Sequence, residues 1–93
     1  MKQVLIVSGS GMNTANTIKE NIIRDLSSNK VKAIVTCADL KDYELKLKDT
    51  DILVSTFAIE EGKFNKPIIS GMPFLTGVRK NSELAKLIDY IHD

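Results

Sequence analysis

The residues of this chain best suited to chemistry form one short segment, between a run of apolar residues and the first helical pattern. In order they are Ser8, Gly9, Ser10, Gly11, Met12, Asn13 and Thr14. The two glycines allow a tight turn, and a helix that starts directly after it presents unpaired N–H groups with partial positive charge. Hydroxyl and amide side chains add donors. We therefore predict a phosphate-binding loop; the alternative is a close strand-to-helix turn that requires small residues.

Three common phosphate-binding patterns do not fit this loop. It lacks the Gly-Lys-Ser/Thr ending of a P-loop, and Thr14 stands where the third glycine of a dinucleotide fingerprint would be. The Cys-x5-Arg loop of low-molecular-weight tyrosine phosphatases would require a cysteine at Ser8 and an arginine at Thr14. The pattern thus disfavours nucleotide binding of these kinds and phosphatase activity.

The rest of the chain offers few residues for covalent or metal chemistry. Cys37 is the single cysteine and His92 the single histidine, which excludes a disulfide framework and a cysteine-based zinc site within this sequence. His92 adjoins the final residue, so any covalent chemistry is expected to work without an internal histidine base. We expect no metal and no cofactor, with Cys37 as a small apolar packing residue rather than a redox thiol.

Apolar runs that alternate with helical periodicity predict the elements that must position the loop. Buried strands are predicted at residues 4–7, 31–37, 51–56 and 67–69, with helices at about 13–28, 39–47 and 81–91. Asp39 is expected to cap the second helix, with Asp42 placed as in a capping box, and Asn81 or Ser82 to cap the last. The second helix would carry Leu40, Tyr43 and Leu47 on one side.

This order of elements predicts an α/β fold, a Rossmann-like three-layer sandwich around a four-stranded, mainly parallel sheet. The glycine loop would follow the first strand, at the edge where open α/β sheets bind ligands. A charged loop around residues 60–63 would precede the fourth strand.

Length and charge limit the classes of protein to which the chain could belong. Its 93 residues predict a single domain, 1–93, and 13 Lys+Arg against 12 Asp+Glu leave a net charge of +1. No nucleic-acid or membrane-surface partner is expected from such a balance. No apolar run approaches the roughly 18 to 20 residues of a membrane span, and the N-terminal run is too short for a secretory signal. We expect a cytoplasmic protein.

Two segments carry a resemblance to a known family. Residues Ser8–Thr14 resemble the Cys-Gly-Ser-Gly-hydrophobic-x-Thr loop of enzyme IIB components of the sugar phosphotransferase system (PTS). Residues Gly71–Val78 resemble the Gly-Met-Pro-Phe-x-Ser/Thr-Gly segment of the galactitol-specific branch, and Cys37 has a counterpart there that is not phosphorylated. The resemblance extends along essentially the whole chain and implies the phosphotyrosine-phosphatase-like IIB fold.

The resemblance implies a phosphoryl relay. A phosphohistidine of the partner IIA protein would donate to a cysteine at the start of the loop, and the phosphocysteine would pass the group to a sugar or sugar alcohol, galactitol in this branch, bound by the membrane transporter IIC. The catalytic position would be residue 8 and the phosphate-binding residues 9–14. The chain would then be a protein-phosphocysteine–sugar phosphotransferase.

The family cysteine falls on Ser8 in this sequence. A serine hydroxyl has a far higher pKa than a thiol and has no base nearby, so the chain as written is expected to be inactive in transfer. The serine is either an introduced replacement, which the otherwise intact loop favours, or a native residue of a variant that has lost transfer. In the second case the chain would be a non-catalytic regulatory or anion-binding IIB-like module.

The second motif also has two interpretations. Gly71–Val78 is either a loop that packs Met72 and Phe74 under the edge of the sheet or part of a docking surface for IIA or IIC. Arg79 and Lys80, which follow it, could guide a phosphorylated partner or could simply be solvated.

Overall fold

The computed structural model describes residues 1–60 and 62–93, and within them it contains four strands and four α-helices. In chain order the elements are β1 (Gln3–Val7), α1 (Met12–Ser28), β2 (Ile34–Ala38), α2 (Tyr43–Lys46), a 3₁₀ turn (Leu47–Asp49), β3 (Ile52–Ser55), β4 (Ile68–Ser70), α3 (Met72–Thr76) and α4 (Lys80–His92). The loop predicted at 60–63 includes Glu61, which lies outside the described residues.

The four strands form one sheet in the order β2-β1-β3-β4, and every neighbouring pair is parallel. Val4 of β1 is paired with Val35 on one side and Ile52 on the other, so β1 is an interior strand. From β1 the chain continues to β2, which lies on one side of β1 within the sheet. It then crosses back to β3, which lies on the other side of β1. The α/β three-layer prediction is confirmed, and the sheet is wholly rather than mainly parallel.

One face of the sheet packs against α1, α3 and α4. The apolar spacing of α1 buries Ala15, Ile18 and Ile22 against the strands, as its 3.6-residue period requires. The buried residues of this core are Val4, Ile6, Ala15, Ile18, Ile22, Leu26, Val31, Val35, Ile52, Val54, Ile69, Phe74, Leu84, Leu87 and Ile91. The larger of the two cores therefore lies beneath the helix that begins at the glycine loop.

The other face of the sheet carries a smaller core. Leu5, Val7 and Leu53 point to this side because side chains alternate along a strand. Tyr43 of α2 and Leu47 of the 3₁₀ turn cover them, and the Tyr43 ring meets the edge of Phe57 at 6.0 Å between centroids. Leu40, which was expected on this apolar side, is 50% exposed because it precedes α2 in a turn.

The second strand begins later than predicted because Val31, its first predicted residue, is part of the C-terminal end of α1. Lys30 has φ of 58°, and its N–H donates to the Ser27 carbonyl at 3.0 Å. The Val31 N–H donates to the Leu26 carbonyl at 2.9 Å. This pair of bonds is the Schellman arrangement, in which a left-handed residue closes a helix. Val31 is thus buried as part of the helix end, and β2 begins at Ile34.

The predicted helix starts need two corrections. The prediction that Asp39 caps the second helix is wrong, because the N-cap of α2 is Asp42; the Asp39 Oδ1 instead accepts N–H bonds from Lys41 at 3.0 Å and Asp42 at 2.9 Å in the turn before the helix. Asp42, however, forms no side-chain capping bond. The prediction that Asn81 or Ser82 caps the last helix is also wrong, because α4 already begins at Lys80, after Arg79 in the left-handed conformation.

Among the described residues, no helix is both long and apolar enough to cross a membrane.

Candidate functional site: the loop after β1

The glycine loop lies at the carboxyl end of β1, beside the carboxyl end of β3. The connection after β1 leads to β2 on one side, whereas the connection after β3 leads to β4 on the other, so a crevice opens between the carboxyl ends of these two neighbouring strands. Ser8 follows β1 directly, and Thr56 follows β3 directly. The position predicted for the site is therefore the topological switch point of the fold.

Ser8 is turned into the loop rather than toward solvent. The residue is only 1% exposed, and its Oγ accepts a hydrogen bond from the Ser10 N–H at 3.0 Å. Its carbonyl accepts the Gly11 N–H at 3.3 Å. The Ser8 hydroxyl thus stabilises the conformation of its own loop. A partner could reach this hydroxyl only after the loop opens.

The first turn of α1 leaves its backbone donors free. Gly11, the N-cap, has φ of 100°, a conformation that favours glycine, and no side chain caps the helix. The first helical hydrogen bond runs from the Ala15 N–H to the Gly11 carbonyl at 3.2 Å. Within the described residues, the N–H groups of Met12, Asn13 and Thr14 have no acceptor. This helix start can therefore offer three amides and its partial positive charge to an anion.

Thr56 belongs to the site and was missed by the sequence analysis. Its Oγ1 accepts the Gly9 N–H at 3.0 Å, and its own N–H donates to the Val7 carbonyl at 3.3 Å. Thr56 is the first residue after β3, so the signal was its position at the carboxyl end of a predicted strand. That signal becomes useful only once β3 is known to lie beside β1.

The second motif adjoins the site through Gly71. The Gly71 N–H donates to the Ser55 carbonyl at 2.8 Å, which fixes the end of β4 beside the end of β3. Met72–Thr76 is a short helix, α3, rather than the predicted loop. Phe74 is buried at 2% exposure as expected, whereas Met72 is 43% exposed and does not pack under the sheet. Asn21 of α1 secures α3 by donating to the Phe74 carbonyl at 2.8 Å.

The two basic residues after this motif differ in their surroundings. Lys80 is engaged, because its Nζ lies 3.4 Å from the carboxylate of Asp25 on α1. Asp25 is buried, and its Oδ2 receives no hydrogen bond within the described part of the chain. The nearby ammonium of Lys80 therefore compensates for the burial of this carboxylate. Arg79 is exposed. Lys80 therefore joins α4 to α1 rather than projecting toward a partner.

The single thiol lies beside the first turn of α1, whereas the single imidazole lies at the opposite end of the sheet. Cys37 of β2 is half-buried and its Sγ donates to the Ala15 carbonyl at 3.4 Å. Burial raises the pKa of the Cys37 thiol, and the positive charges of Lys19 and Lys46 offset only part of that rise. His92 lines a shallow cavity with Lys2 and Asp51, next to the amino ends of the strands. Among the described residues, the contacts of Cys37 and His92 therefore do not make either side chain a base for residue 8.

Comparison with known proteins gives one informative match. No protein-family model matches the chain. Over 59 residues, 63% of its length, the chain is 36% identical to a protein of Bacillus subtilis (strain 168), the transcriptional regulator ManR. The chain spans only about 9% of the length of that regulator. It is therefore similar to one segment of a much larger protein.

Proposed function

We propose that the chain is a IIB-type module of the sugar phosphotransferase system, with residue 8 at the phosphoryl-accepting position. The observation that carries this proposal is the combination of the switch-point loop with the three free amides at the start of α1. A passing phosphoryl group requires mainly positioning and charge stabilisation, which backbone amides at a helix start can supply. The motif resemblance at Ser8–Thr14 and Gly71–Val78 supports the same function.

The chemistry requires a thiolate at residue 8. It would attack the phosphorus of the phosphohistidine on IIA, forming a P–S bond as the P–N bond breaks, and the released imidazole would take up a proton from solvent. The thiolate would accept the Ser10 N–H that Ser8 accepts in this chain. The lack of an internal base then has a simple explanation, because IIA brings the histidine and the loop lowers the pKa of the nucleophile.

The acceptor of the relay is proposed to be a sugar alcohol bound by the membrane transporter IIC. Galactitol follows from the resemblance of Gly71–Val78 to that branch. The exposed side chains of α3, Met72 and Leu75, lie in this segment and offer apolar contacts at a protein surface. Docking of IIA or IIC over the loop and α3 is part of this proposal.

With serine at residue 8, the relay is expected to stop. A hydroxyl has a much higher pKa than a thiol, and its phosphate ester is a poorer onward donor. The 1% exposure of Ser8 and its bond to the Ser10 N–H mean that the loop must open before a donor can reach residue 8, and this holds for a cysteine there as well as for the serine. The chain as written is therefore proposed to adopt the IIB fold without accepting the phosphoryl group.

A second candidate is a regulatory module that binds anions without turnover. Two observations favour it: Ser8 occupies the position of the nucleophile, and the chain is similar to a segment of a transcriptional regulator. In this case serine is the native residue, and the amides of α1 bind a phosphate or a phosphorylated side chain reversibly. The two candidates differ in whether a cysteine at residue 8 restores transfer.

The test is intact mass spectrometry of four proteins incubated with phosphoenolpyruvate, the general PTS proteins and a galactitol-type IIA. The proteins are the parent chain, Ser8→Cys, Ser10→Cys and Ser8→Ala. One added phosphoryl group on Ser8→Cys alone supports the relay. Ser10→Cys is the matched control, because it places a thiol in the same loop at the wrong position, and the parent controls for Cys37.

Other outcomes contradict specific parts of the proposal. No addition to Ser8→Cys rules out the relay and leaves the regulatory candidate. Addition to Ser10→Cys as well would mean that the loop does not select its nucleophile. Addition to the parent but not to Ser8→Ala would show that the serine is reactive, against the argument from its pKa.

A further inference from the structure

We infer that the outer edge of β2 docks an extended peptide segment of a partner protein, one that carries both apolar and acidic side chains. The docking surface combines the open edge of the sheet with an apolar groove between β2 and α1 and with two lysines at one end of that groove. We call it the β2 edge site; its residues are Ile23, Leu26, Lys30, Lys32, Ala33 and Val35. It shares no residue with the Ser8–Thr14 loop, so the inference goes beyond the proposed function and does not depend on it.

The backbone of β2 offers hydrogen-bonding groups along its outer edge. β2 is the outermost strand in the order β2-β1-β3-β4, and β1 is its neighbour on the inner side. The Ile34 N–H points to that side, where it donates to the Lys2 carbonyl at 3.0 Å. Because backbone groups of successive residues point to opposite sides of a strand, those of Val35 and Cys37 face the outer edge. A polypeptide supplies donors and acceptors at the spacing of these groups, whereas a small amphiphilic anion does not.

Apolar side chains are exposed beside this edge on both faces of the sheet. On the α1 side, Ile23 is 45% exposed and lines, with Leu26 and Val35, a groove of about 450 Å³. On the other side, Ile34 is 41% exposed, because the smaller core reaches β2 only at Ala38. Side chains of an added strand alternate between the two faces, so they would enter the groove on one face and cover Ile34 on the other. Burial of this apolar surface favours the bound state.

The charges at one end of the groove indicate which peptide fits. Lys30 and Lys32 line the groove, and among the described residues no carboxylate lines it. In the same part of the chain neither lysine forms an ion pair. The adjoining shallow cavity adds Lys2 and one carboxylate, Asp51, whose Oδ2 accepts the Gln3 N–H at 2.7 Å. Acidic residues next to the apolar ones of a partner segment would therefore complement this surface.

The test measures binding of the fluorescein-labelled peptide Glu-Asp-Val-Thr-Val-Thr-Val-Asp-Glu by fluorescence anisotropy. Acidic residues stand at both ends so that the direction of the added strand does not matter, and the alternating valines suit the groove. Saturable binding with a Kd below about 300 μM is expected. The control peptide Lys-Lys-Val-Thr-Val-Thr-Val-Lys-Lys has the same centre and is expected to bind roughly tenfold more weakly or not at all. Absence of saturable binding by the acidic peptide, or equal binding of both peptides, would overturn the inference.

Two N-methylated forms of the acidic peptide test whether it adds to the sheet as a strand. One form carries N-methyl groups on its valines and the other on its threonines. These two sets of N–H groups point to opposite edges of a strand, so only one set can bond to β2. One form is therefore expected to bind roughly tenfold more weakly than the unmethylated peptide, while the other keeps its affinity. If methylation has the same effect in both forms, the peptide does not pair with β2 and the inference is wrong.

Substitutions in the protein locate the site. Ile23→Glu removes an apolar contact and adds a repulsive charge, so it is expected to weaken binding of the acidic peptide roughly tenfold or more. Lys32→Glu converts attraction to repulsion at the surface and is expected to weaken it roughly three- to tenfold. Leu45→Glu and Lys48→Glu are the matched controls, because they make the same replacements at exposed positions outside the groove, and they should leave the Kd unchanged.

Two other occupants of the β2 edge site would give different results. Sedimentation of the chain alone is expected to show a monomer at about 100 μM; a dimer that Ile23→Glu abolishes would make a second copy the occupant and overturn the inference. Dodecanoate represents a small amphiphilic anion. If it shifts the NMR signals of the Ala33 and Val35 amides and the acidic peptide does not, the groove binds a small molecule and the inference is also overturned.

Discussion

At the scale of single residues, the side chain at position 8 decides what the loop can do. Its surroundings suit a negative charge: the Ser10 N–H lies 3.0 Å from the Ser8 Oγ, and α1 begins four residues later with free amides. A serine remains neutral there at any ordinary pH. A thiol in the same place would be stabilised as the thiolate by those donors, because they favour the charged form of the group they contact.

Replacement of Ser8 by cysteine is expected to create a thiol with a pKa below about 7.5, as at other helix N-termini. Burial of residue 8 opposes this shift, but the amide donors act directly on the sulfur and are expected to outweigh it. The thiolate absorbance near 240 nm, followed from pH 5 to 10, measures the titration. Its rise should begin well below the range of a free thiol.

The parent chain provides the baseline for this titration, because Cys37 is its only thiol. Burial raises the pKa of Cys37, so its thiolate appears only at higher pH than usual. The difference between the Ser8→Cys and parent curves then isolates residue 8. A difference curve with its midpoint at or above about 8.5, the value of a free thiol, would refute the electrostatic argument for the loop.

At the scale of elements, long periodic segments were predictable and helix ends were not. The helix predicted at 13–28 is α1 to within one residue, because its apolar spacing fixes a buried face. α3 was missed, because five residues with a proline near the start give no period to read. The start of α4 was misplaced, because Arg79 adopts a left-handed conformation with no sequence signal for it.

The same contrast holds for the site. Ser8–Thr14 could be recognised because a strand, two glycines and a helix follow one another in sequence. Thr56 could not, because its contact with Gly9 depends on β3 lying beside β1, which the sequence pattern does not specify. Local signals thus identified the loop, and strand order supplied its neighbour.

The end of α1 offers a test of element stability. Lys30 holds a left-handed conformation that costs an L-residue with a side chain roughly 1–2 kcal/mol. Lys30→Gly removes that cost and adds some freedom to the unfolded chain, so the free energy of unfolding is expected to rise by about 0.5–1 kcal/mol. Urea denaturation followed by circular dichroism measures the change.

Lys32→Gly is the matched control for this variant. It removes the same charge two residues away, where φ is not positive, and should lower the free energy of unfolding by about 0.5–1 kcal/mol through chain entropy alone. If both glycine variants are destabilised equally, the left-handed residue is not the strained point of the helix end.

At the scale of the whole molecule, positive and negative charges nearly balance. Cations are paired with nearby carboxylates at separate places: Lys63 with Glu44 at 2.9 Å, and Lys80 with Asp25 at 3.4 Å. The formal net charge of the sequence is only +1. The free amides of α1 are therefore a local attraction for one anion, not part of a broad positive surface.

From this near balance of charge we expect no DNA binding, an expectation that needs a test because the chain is similar to one segment of a transcriptional regulator. Non-specific DNA binding requires several cations that neutralise neighbouring phosphates, and it weakens steeply with salt. We expect no saturable binding of a fluorescein-labelled 20-base-pair duplex by up to about 100 μM protein at 150 mM salt, measured by fluorescence anisotropy. Inorganic phosphate, by contrast, should shift the NMR signals of the Met12, Asn13 and Thr14 amides. Micromolar binding of the duplex that weakens tenfold or more between 50 and 200 mM salt would contradict the expectation that the chain does not bind DNA. Nucleic acid would then be the partner of the chain.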